Sequence, residues 1–211
     1  MKPPTTQRRP LPTRAHPFLQ WSRNAFLIAG VLALGYCGFV MLDSKIYQAG
    51  QDRRFQQQLE SVRTPIATAG GLADLPVASV PEGALGRIEI ARIGLTAMIM
   101  EGTDGRTLRR AVGHIRGTPL PGQQGNVAIA GHRDTFFRPL RNVQDDDEIT
   151  LTTLHGSYRY LVDSTQVVAP EDTQVLNESS DTILTLVTCY PFYFVGPAPK
   201  RFIVRAHRIP G

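Results

Sequence analysis

The chain has 211 residues and a formal net charge of +5, and its 42% hydrophobic content with 19 glycines and 16 prolines suits one turn-rich, strand-rich domain with additional segments. Five basic residues and no acidic one lie in Met1–Asn24, whereas fourteen Lys and Arg face thirteen Asp and Glu from Leu85 onward. The excess positive charge is therefore confined to the N-terminus, which argues against nucleic acid as a partner and for a membrane.

The first predicted element is a membrane anchor. The run AFLIAGVLALGYCGFVML (25–42) has no charged residue, and at helical rise it spans roughly 27 Å, close to the ~30 Å hydrocarbon core. Basic residues precede the run and Asp43 follows it, so residues 1–24 are predicted to be a cytoplasmic tail and the rest to lie outside the cytoplasm. A cleaved signal peptide would have a shorter apolar run and a small-residue cleavage site, which is missing here. We expect a single-pass protein of the cell membrane, with lipid as a partner.

Residues 43–84 are predicted to connect the anchor to the domain. Ser44–Val62 is polar and rich in glutamine and could extend the anchor helix as a stalk. Thr64–Gly83 is rich in Pro, Gly and Ala and indicates a flexible tether. The folded domain is then expected at 85–211.

From Leu85 onward the pattern changes to short strands that alternate apolar and polar residues. Two short helices are also plausible, at Gly105–Val112 and Pro170–Leu176. Many short strands separated by turns favour an all-β domain built as a closed or nearly closed barrel. The predicted strands are Arg87–Ile93, Leu95–Met100, Asn126–Ala130, Glu148–Thr153, Tyr158–Val168, Thr182–Thr188 and Phe202–His207.

The two cysteines of the chain are predicted to lie in different environments. Cys37 is inside the apolar run, so it cannot pair with Cys189 in the exported domain. Cys189 is then an unpaired thiol in a compartment where structural cysteines usually come in pairs. It is either a small buried filler or a thiol kept for its reactivity, and its position after the apolar strand segment TLVT makes it a candidate nucleophile.

A cysteine nucleophile needs a histidine nearby, and two of the five histidines are candidates. His132 follows the buried strand NVAIA and a glycine, just as Cys189 follows a strand, so we favour it. His114 lies in a loop and remains open as an alternative. The others fit less well: His16 is cytoplasmic, His155 sits in a hairpin turn, and His207 lies beside arginines.

Arg201 is the candidate cation for an acyl-transfer site. Alternation in KRFIVRAH puts Phe202 and Val204 toward the core and Arg201 on the other side. A hairpin from the strand before Cys189 through the loop YPFYFVGPAP would bring Arg201 beside the thiol, where a guanidinium could stabilise a developing oxyanion.

Three motifs together resemble those of the sortase family, the membrane-anchored cysteine transpeptidases of bacterial surfaces. They are TLVTC, which ends at Cys189, GH after the strand NVAIA, and the arginine of KR twelve residues past the cysteine. The segments GRIEI and VGHIRGTPLPGQQGN are similar to the class D type. The resemblance covers 85–209.

The resemblance implies a closed eight-stranded barrel with the site in a groove on its wall. Cys189 would attack the carbonyl of a Thr–Gly-type bond in a C-terminal sorting motif, and His132 as imidazolium would protonate the leaving amine. Arg201 would hold substrate and oxyanion, and Thr188 would shape the substrate pocket. The implied partners are exported proteins with a sorting signal and an amine acceptor, either an envelope peptide or a pilin-like lysine.

Two further sequence features and one other function class compete with this interpretation. The tripeptide HRD at His132 occurs in protein kinases, but the asparagine that should follow is replaced by Pro139. The acidic run 145–148 could bind calcium, although such a run is more often a solvated loop, so no cofactor is expected. A non-catalytic, membrane-tethered adhesion domain would account for the anchor and the barrel, but not for the three residues expected at strand ends.

Overall fold

A computed structural model describes residues 17–66, 83–194 and 196–210. Most of the predicted cytoplasmic tail (1–16 of 1–24) and most of the predicted tether (67–82 of 64–83) lie outside these residues, so those assignments stay predictions. The chain divides into two compact units, Met1–Leu42 and Asp43–Gly211.

The first described element is a long helix, α1, at Pro17–Ile66. Its stretch Gln20–Ser61 is long and apolar enough to cross a membrane, with a mean hydropathy of 2.3 in the most apolar window. Large apolar side chains along it, among them Phe26, Val31 and Leu34, are exposed to their surroundings, as a lipid-facing helix requires. The predicted apolar N-terminal helix is therefore confirmed as a helix that could span a membrane.

Eight strands and one short helix, α2, form the folded domain. The strands close into a barrel in the order β1-β2-β3-β4-β7-β8-β6-β5, with β1 also paired to β5. The predicted all-β closed barrel with short helices is thus confirmed. The elements are β1 Gly86–Ile90, β2 Leu95–Glu101, α2 Gly105–Arg110, β3 Val112–His114, β4 Asn126–Ala130, β5 Glu148–Thr153, β6 Gly156–Val168, β7 Ile183–Tyr190 and β8 Lys200–Ile209.

Two of the neighbouring pairs, β2–β3 and β4–β7, are parallel, and the other pairs are antiparallel. The barrel interior is filled by alternate apolar residues from all eight strands, together with residues of the segment after β4 such as Phe137 and Leu140. Burial of these side chains is the main stabilising term for the domain.

Four elements differ most from the sequence prediction. The predicted helix Gly105–Val112 ends at Arg110, because Val112 pairs with Ile99 of β2 and begins β3. A three-residue strand is too short to show alternation, so β3 was missed. In the first predicted strand, 91–93 form a 3₁₀ turn, and the second predicted helix is reduced to the 3₁₀ turn Thr173–Leu176.

The part of α1 from Asp43 onward packs on the barrel. Phe55 is buried against Met98 of β2, and Asp52 forms an ion pair with Arg87 of β1 at 3.1 Å. Gln48 accepts a 2.8 Å hydrogen bond from the Met98 N–H, which lies one residue before the β2–β3 pairing begins. The helix thereby satisfies a backbone donor that the short β3 does not reach.

Candidate active site

Cys189 and Arg201 lie directly opposite each other in the antiparallel pair β7–β8. Opposed residues in such a pair project from the same face of the sheet, with Cβ atoms about 4.5–5.5 Å apart. Cys189 is a free, partly exposed cysteine. The strand continues one residue past it, to Tyr190, so the thiol is held inside the strand ladder and not on the following turn.

Alternation shows which face carries the two side chains. On β7, Leu184 and Leu186 fill the barrel interior, and on β8 Val204 and Ala206 do so. Cys189 and Arg201 have the opposite parity in each strand, so both project from the outer wall of the barrel. The thiol therefore opens toward solvent while its backbone is held by the pairing with β8.

His132 reaches the same end of the wall through the parallel pair β4–β7. Paired residues of the two strands are 57 positions apart, and Gly131 continues this register: its N–H donates to the Val187 carbonyl at 3.1 Å and its carbonyl accepts from the Thr188 hydroxyl at 2.8 Å. His132 follows directly, two residues past the end of β4, and extending the same offset by one residue gives Cys189 as its counterpart. The side chain of His132 is partly exposed.

Gly131 lets the chain turn at His132 without strain. A Cβ at this position would lie 2.7 Å from the ring of Phe137, which is fully buried in the core. The His132 carbonyl accepts hydrogen bonds from the N–H groups of Thr135 and Phe137, at 3.3 and 3.1 Å. The backbone that carries the imidazole is thus fixed between a strand and a buried aromatic side chain.

Thr188 is placed differently from its predicted role beside the thiol. Its side chain is buried on the interior face, opposite to Cys189, and its hydroxyl bonds to the Gly131 carbonyl. It holds β7 to the residue before His132. The structure does not bring Thr188 onto the face that carries the thiol, and its predicted contact with substrate stays a prediction.

Of the other histidines that the structure describes, His114 is the one with a buried side chain. Its Nδ1 lies 2.8 Å from Glu101 Oε2, and its Nε2 lies 3.0 Å from the Pro119 carbonyl oxygen. Both ring nitrogens are therefore engaged away from solvent. His155 is exposed in the β5–β6 turn, and His207 is exposed and pairs with Asp163.

The connection between β6 and β7 (169–182) is held against the outer face of β4. Asn126, on the outer face of β4, donates hydrogen bonds to the carbonyls of Val175 and Asn177, both at 3.0 Å, and accepts one from the Thr185 hydroxyl at 2.6 Å. These bonds hold the connection over the outer wall.

Arg133 was missed as a site residue by sequence reasoning. Its side chain is 6% exposed, and its guanidinium donates to backbone carbonyls of the β7–β8 loop. These carbonyls are 58–63 residues away in the chain, so no local pattern predicts the contact. The tripeptide that contains Arg133 was instead weighed as a kinase motif.

The acidic run 145–148 is engaged by arginines. Arg92 donates to the Asp147 carboxylate, and this hydrogen bond lowers the pKa of Asp147 against the opposing effect of burial. Arg159 donates to Glu148 at 2.6 and 2.8 Å and lowers the pKa of Glu148 in the same way. Among residues 17–66, 83–194 and 196–210, no group of three or more acidic, His or Cys side chains is arranged to hold a metal ion.

Comparison with known proteins identifies the barrel. A family model described as Sortase domain matches residues 88–209. Sortase D of Bacillus subtilis (strain 168) is 32% identical over 190 residues, which cover 87% of this chain and 95% of that protein. A solved Sortase D5 transpeptidase of Clostridium perfringens superposes with a TM-score of 0.61 at 28% identity, covering 79% of this chain and 98% of that one. Sortase C-1 of Actinomyces oris has a TM-score of 0.56 at 25% identity, over 75% and 99% of the two chains. The predicted resemblance to sortases, including the class D type, is confirmed, and the chain belongs to the sortase family of cysteine transpeptidases.

Proposed function

We propose that this sortase cleaves a C-terminal sorting motif of an exported protein and transfers the new carboxyl terminus to an amine at the cell envelope. One relationship carries the proposal: Cys189 lies opposite Arg201 on the outer wall, and Gly131, which directly precedes His132, bonds to Val187 and Thr188 at the same end of β7. A nucleophile, a proton donor and a fixed cation are the groups that acyl transfer requires.

In the first half-reaction the Cys189 thiolate attacks the carbonyl carbon of a Thr–Gly-type bond. The new S–C bond moves the carbonyl π electrons onto oxygen and gives a tetrahedral oxyanion. Collapse of this intermediate breaks the C–N bond, and the His132 imidazolium gives its proton to the departing amine. The products are a thioacyl enzyme and the released C-terminal part of the substrate.

In the second half-reaction a neutral amine attacks the thioester carbonyl. The C–N bond forms, the amine gives its proton to the His132 imidazole, and the S–C bond breaks to return the thiolate. The imidazolium and the thiolate are both regenerated, so the cycle needs no external acid or base. The acceptor is an amine of an envelope peptide or a pilin-like lysine.

Arg201 is proposed to hold the substrate backbone and the oxyanion. Its Nη1 donates to the carbonyls of Ala198 and Lys200, at 3.2 and 3.0 Å, which orients the guanidinium plane. Within the described part of the chain, no group accepts a hydrogen bond from its Nε or Nη2, and these donors are available to substrate. A guanidinium stays charged at any physiological pH, so it needs no protonation control.

The N-terminal charge pattern supports a single-pass protein with the N-terminus in the cytoplasm and the barrel outside. Arg23 precedes the apolar run and Asp43 follows it, as the positive-inside rule requires for this orientation. The proposed substrates are themselves exported, so enzyme and substrate meet on the same side of the membrane.

The proposal is tested with the full chain in detergent micelles and a library of proline-containing peptides that end in a Thr–Gly segment. Hydroxylamine serves as the amine acceptor, and mass spectrometry detects both the hydroxamate product and the acyl adduct on Cys189. We expect Cys189→Ala to abolish both products. We expect Arg201→Ala to lower kcat/KM by about 100- to 1000-fold.

Arg205→Ala is the matched control, because Arg205 lies on the same face of β8 opposite Thr185, away from the thiol. It should leave turnover within about twofold of the unsubstituted chain. Product formation by the Cys189→Ala variant would overturn the proposal. So would a wild-type chain that forms no adduct and a Cys189 inert to a methanethiosulfonate reagent, which would favour the adhesion-domain alternative.

A further inference from the structure

Arg133 joins the two loops that flank the proposed site. Its Nη1 donates to the Pro191 carbonyl at 2.8 Å, and its Nη2 donates to the carbonyls of Phe194 and Gly196, at 2.7 and 3.1 Å. Its guanidinium carbon also lies 6.0 Å from the centroid of the Phe194 ring. One side chain therefore binds three separate points of the loop between Cys189 and Arg201.

This arginine is buried, and in the part of the chain that the structure describes no buried carboxylate pairs with it. The side chain is 6% exposed, and the nearest acid, Asp134, lies at 3.6 Å with its own side chain 72% exposed. Burial of a cation is costly unless its donors are satisfied, and here backbone carbonyls satisfy them. Three acceptors spread along a loop fit the planar fork of an arginine, whereas a lysine presents a single ammonium group.

Arg133 connects residues on both sides of the proposed site. It follows His132 directly in the chain, and the loop that it binds begins just after Cys189 and ends just before Arg201. A change in the loop is therefore transmitted to both sides of the proposed site. The loop is rich in Pro and aromatic residues, and among its described residues one backbone hydrogen bond lies within it, from the Phe194 N–H to the Pro191 carbonyl at 3.3 Å.

We propose that Arg133 is a positioning residue, which sets the distance between the Cys189 thiol and the His132 imidazole by holding the β7–β8 loop against the turn after β4. The inference rests on the proposed function, because it assigns Arg133 to that reaction. Arg133 touches no reacting atom in this scheme. Misplacement of reacting groups by about 1 Å can cost on the order of 100-fold in rate.

The test compares Arg133→Ala, Arg133→Lys and Arg133→Gln in the full detergent-solubilised chain. We expect kcat for thioacyl formation to fall by about 10- to 100-fold in the Ala and Lys variants while KM changes by less than about threefold. Free guanidinium ion at millimolar concentration should restore part of kcat in the Ala variant. Arg138→Ala is the matched control, because Arg138 is exposed on the same segment and should behave as wild type.

Hydrogen exchange of the loop amides at 192–194, 196 and 198 gives a readout that does not depend on turnover. Those amides should lose protection in the Ala variant while β7 and β8 keep theirs, and the rate of methanethiosulfonate labelling of Cys189 should change severalfold. If the wild-type chain cleaves no motif peptide, the proposed function fails, and these two measurements still decide whether Arg133 fixes the loop.

Wild-type kcat together with wild-type loop exchange in Arg133→Ala would overturn the proposal. Should the Ala variant unfold at the assay temperature, Arg133→Gln, which keeps one donor group, is assayed at lower temperature. A folded Gln variant with unchanged kcat and unchanged loop exchange would overturn it equally.

Discussion

The Thr188 hydroxyl donates a 2.8 Å hydrogen bond to the carbonyl of Gly131 in the interior of the barrel. The two residues immediately precede Cys189 and His132. This bond therefore fixes the register of β7 against the end of β4, next to both proposed catalytic residues. It has no access to water, and its loss leaves a buried carbonyl with one partner fewer.

Thr188→Val keeps the shape of the side chain and removes the hydroxyl. We expect a loss of about 1–3 kcal/mol in the free energy of unfolding. We also expect a fall in kcat, because β7 is then free to shift relative to the end of β4. Thermal unfolding and peptide turnover are measured on the same preparation, with the partly exposed Thr152→Val as control. Unchanged stability and unchanged kcat would show that the bond contributes nothing to the site.

Gly131→Ala adds a methyl group that clashes with Phe137. In its ideal position the new Cβ would lie 2.7 Å from a ring carbon of Phe137. Because the ring is fully buried, we expect a destabilisation of about 1–3 kcal/mol with loss of turnover. The double variant Gly131→Ala, Phe137→Leu should recover part of both. Gly105→Ala is the control, since its Cβ would make only an ordinary 3.5 Å contact with Arg109. Equal behaviour of the two glycine variants would contradict the steric explanation.

His132 and His114 are separated by their expected effects on stability and turnover. His114→Gln breaks the buried contacts with Glu101 and Pro119, so we expect a loss of about 1–3 kcal/mol in stability with kcat retained by the folded fraction. His132→Ala should leave the melting temperature nearly unchanged and abolish turnover. The reverse outcome would transfer the proton-donor role to His114.

The ion pair of Asp147 with Arg92 should make the free energy of unfolding depend on pH in the acid range. Its pKa is lowered in the folded protein, mainly by the hydrogen bond from Arg92, so its stabilising contribution is present above the unfolded pKa of about 4 and is lost as the pH falls through the lower folded value. Asp147→Asn should therefore be less stable than wild type at pH 7, and the difference should shrink below about pH 4. Chemical unfolding across this range measures it, with the exposed Asp145→Asn as control. A difference that stays constant from pH 7 to pH 2 would rule out this linkage.

Phe55 of α1 is 1% exposed and packs on Met98 of β2. Phe55→Ala should cost about 3–5 kcal/mol of barrel stability, because it leaves a cavity between helix and sheet. Thermal unfolding of the full chain in detergent measures this, with the exposed Gln57→Ala on the same helix as control. A loss equal to that of the control would show that the helix adds nothing to the stability of the barrel.

Sequence patterns predicted much of the strand arrangement because alternation and turns are local. β4 and β5 begin and end where expected. The prediction that Arg201 lies beside Cys189 needed only the one short connection between β7 and β8. From the residues alone, the choice of His132 over His114 rested on an analogy between two strand ends, and the sortase resemblance then supported it. The parallel pairing that brings these ends together spans 57 positions, and no local pattern contains that information.

The amino-acid sequence by itself determined the apolar helix, the barrel class and the identity of the three candidate side chains, since hydropathy, alternation and motif spacing are properties of neighbouring residues. The tertiary structure alone decided the short strand β3, the helix packing around Phe55 and the bonds from Arg133 to the β7–β8 loop. These features depend on backbone groups left unpaired by one segment and satisfied by another far along the chain, and that matching exists only once the barrel has closed.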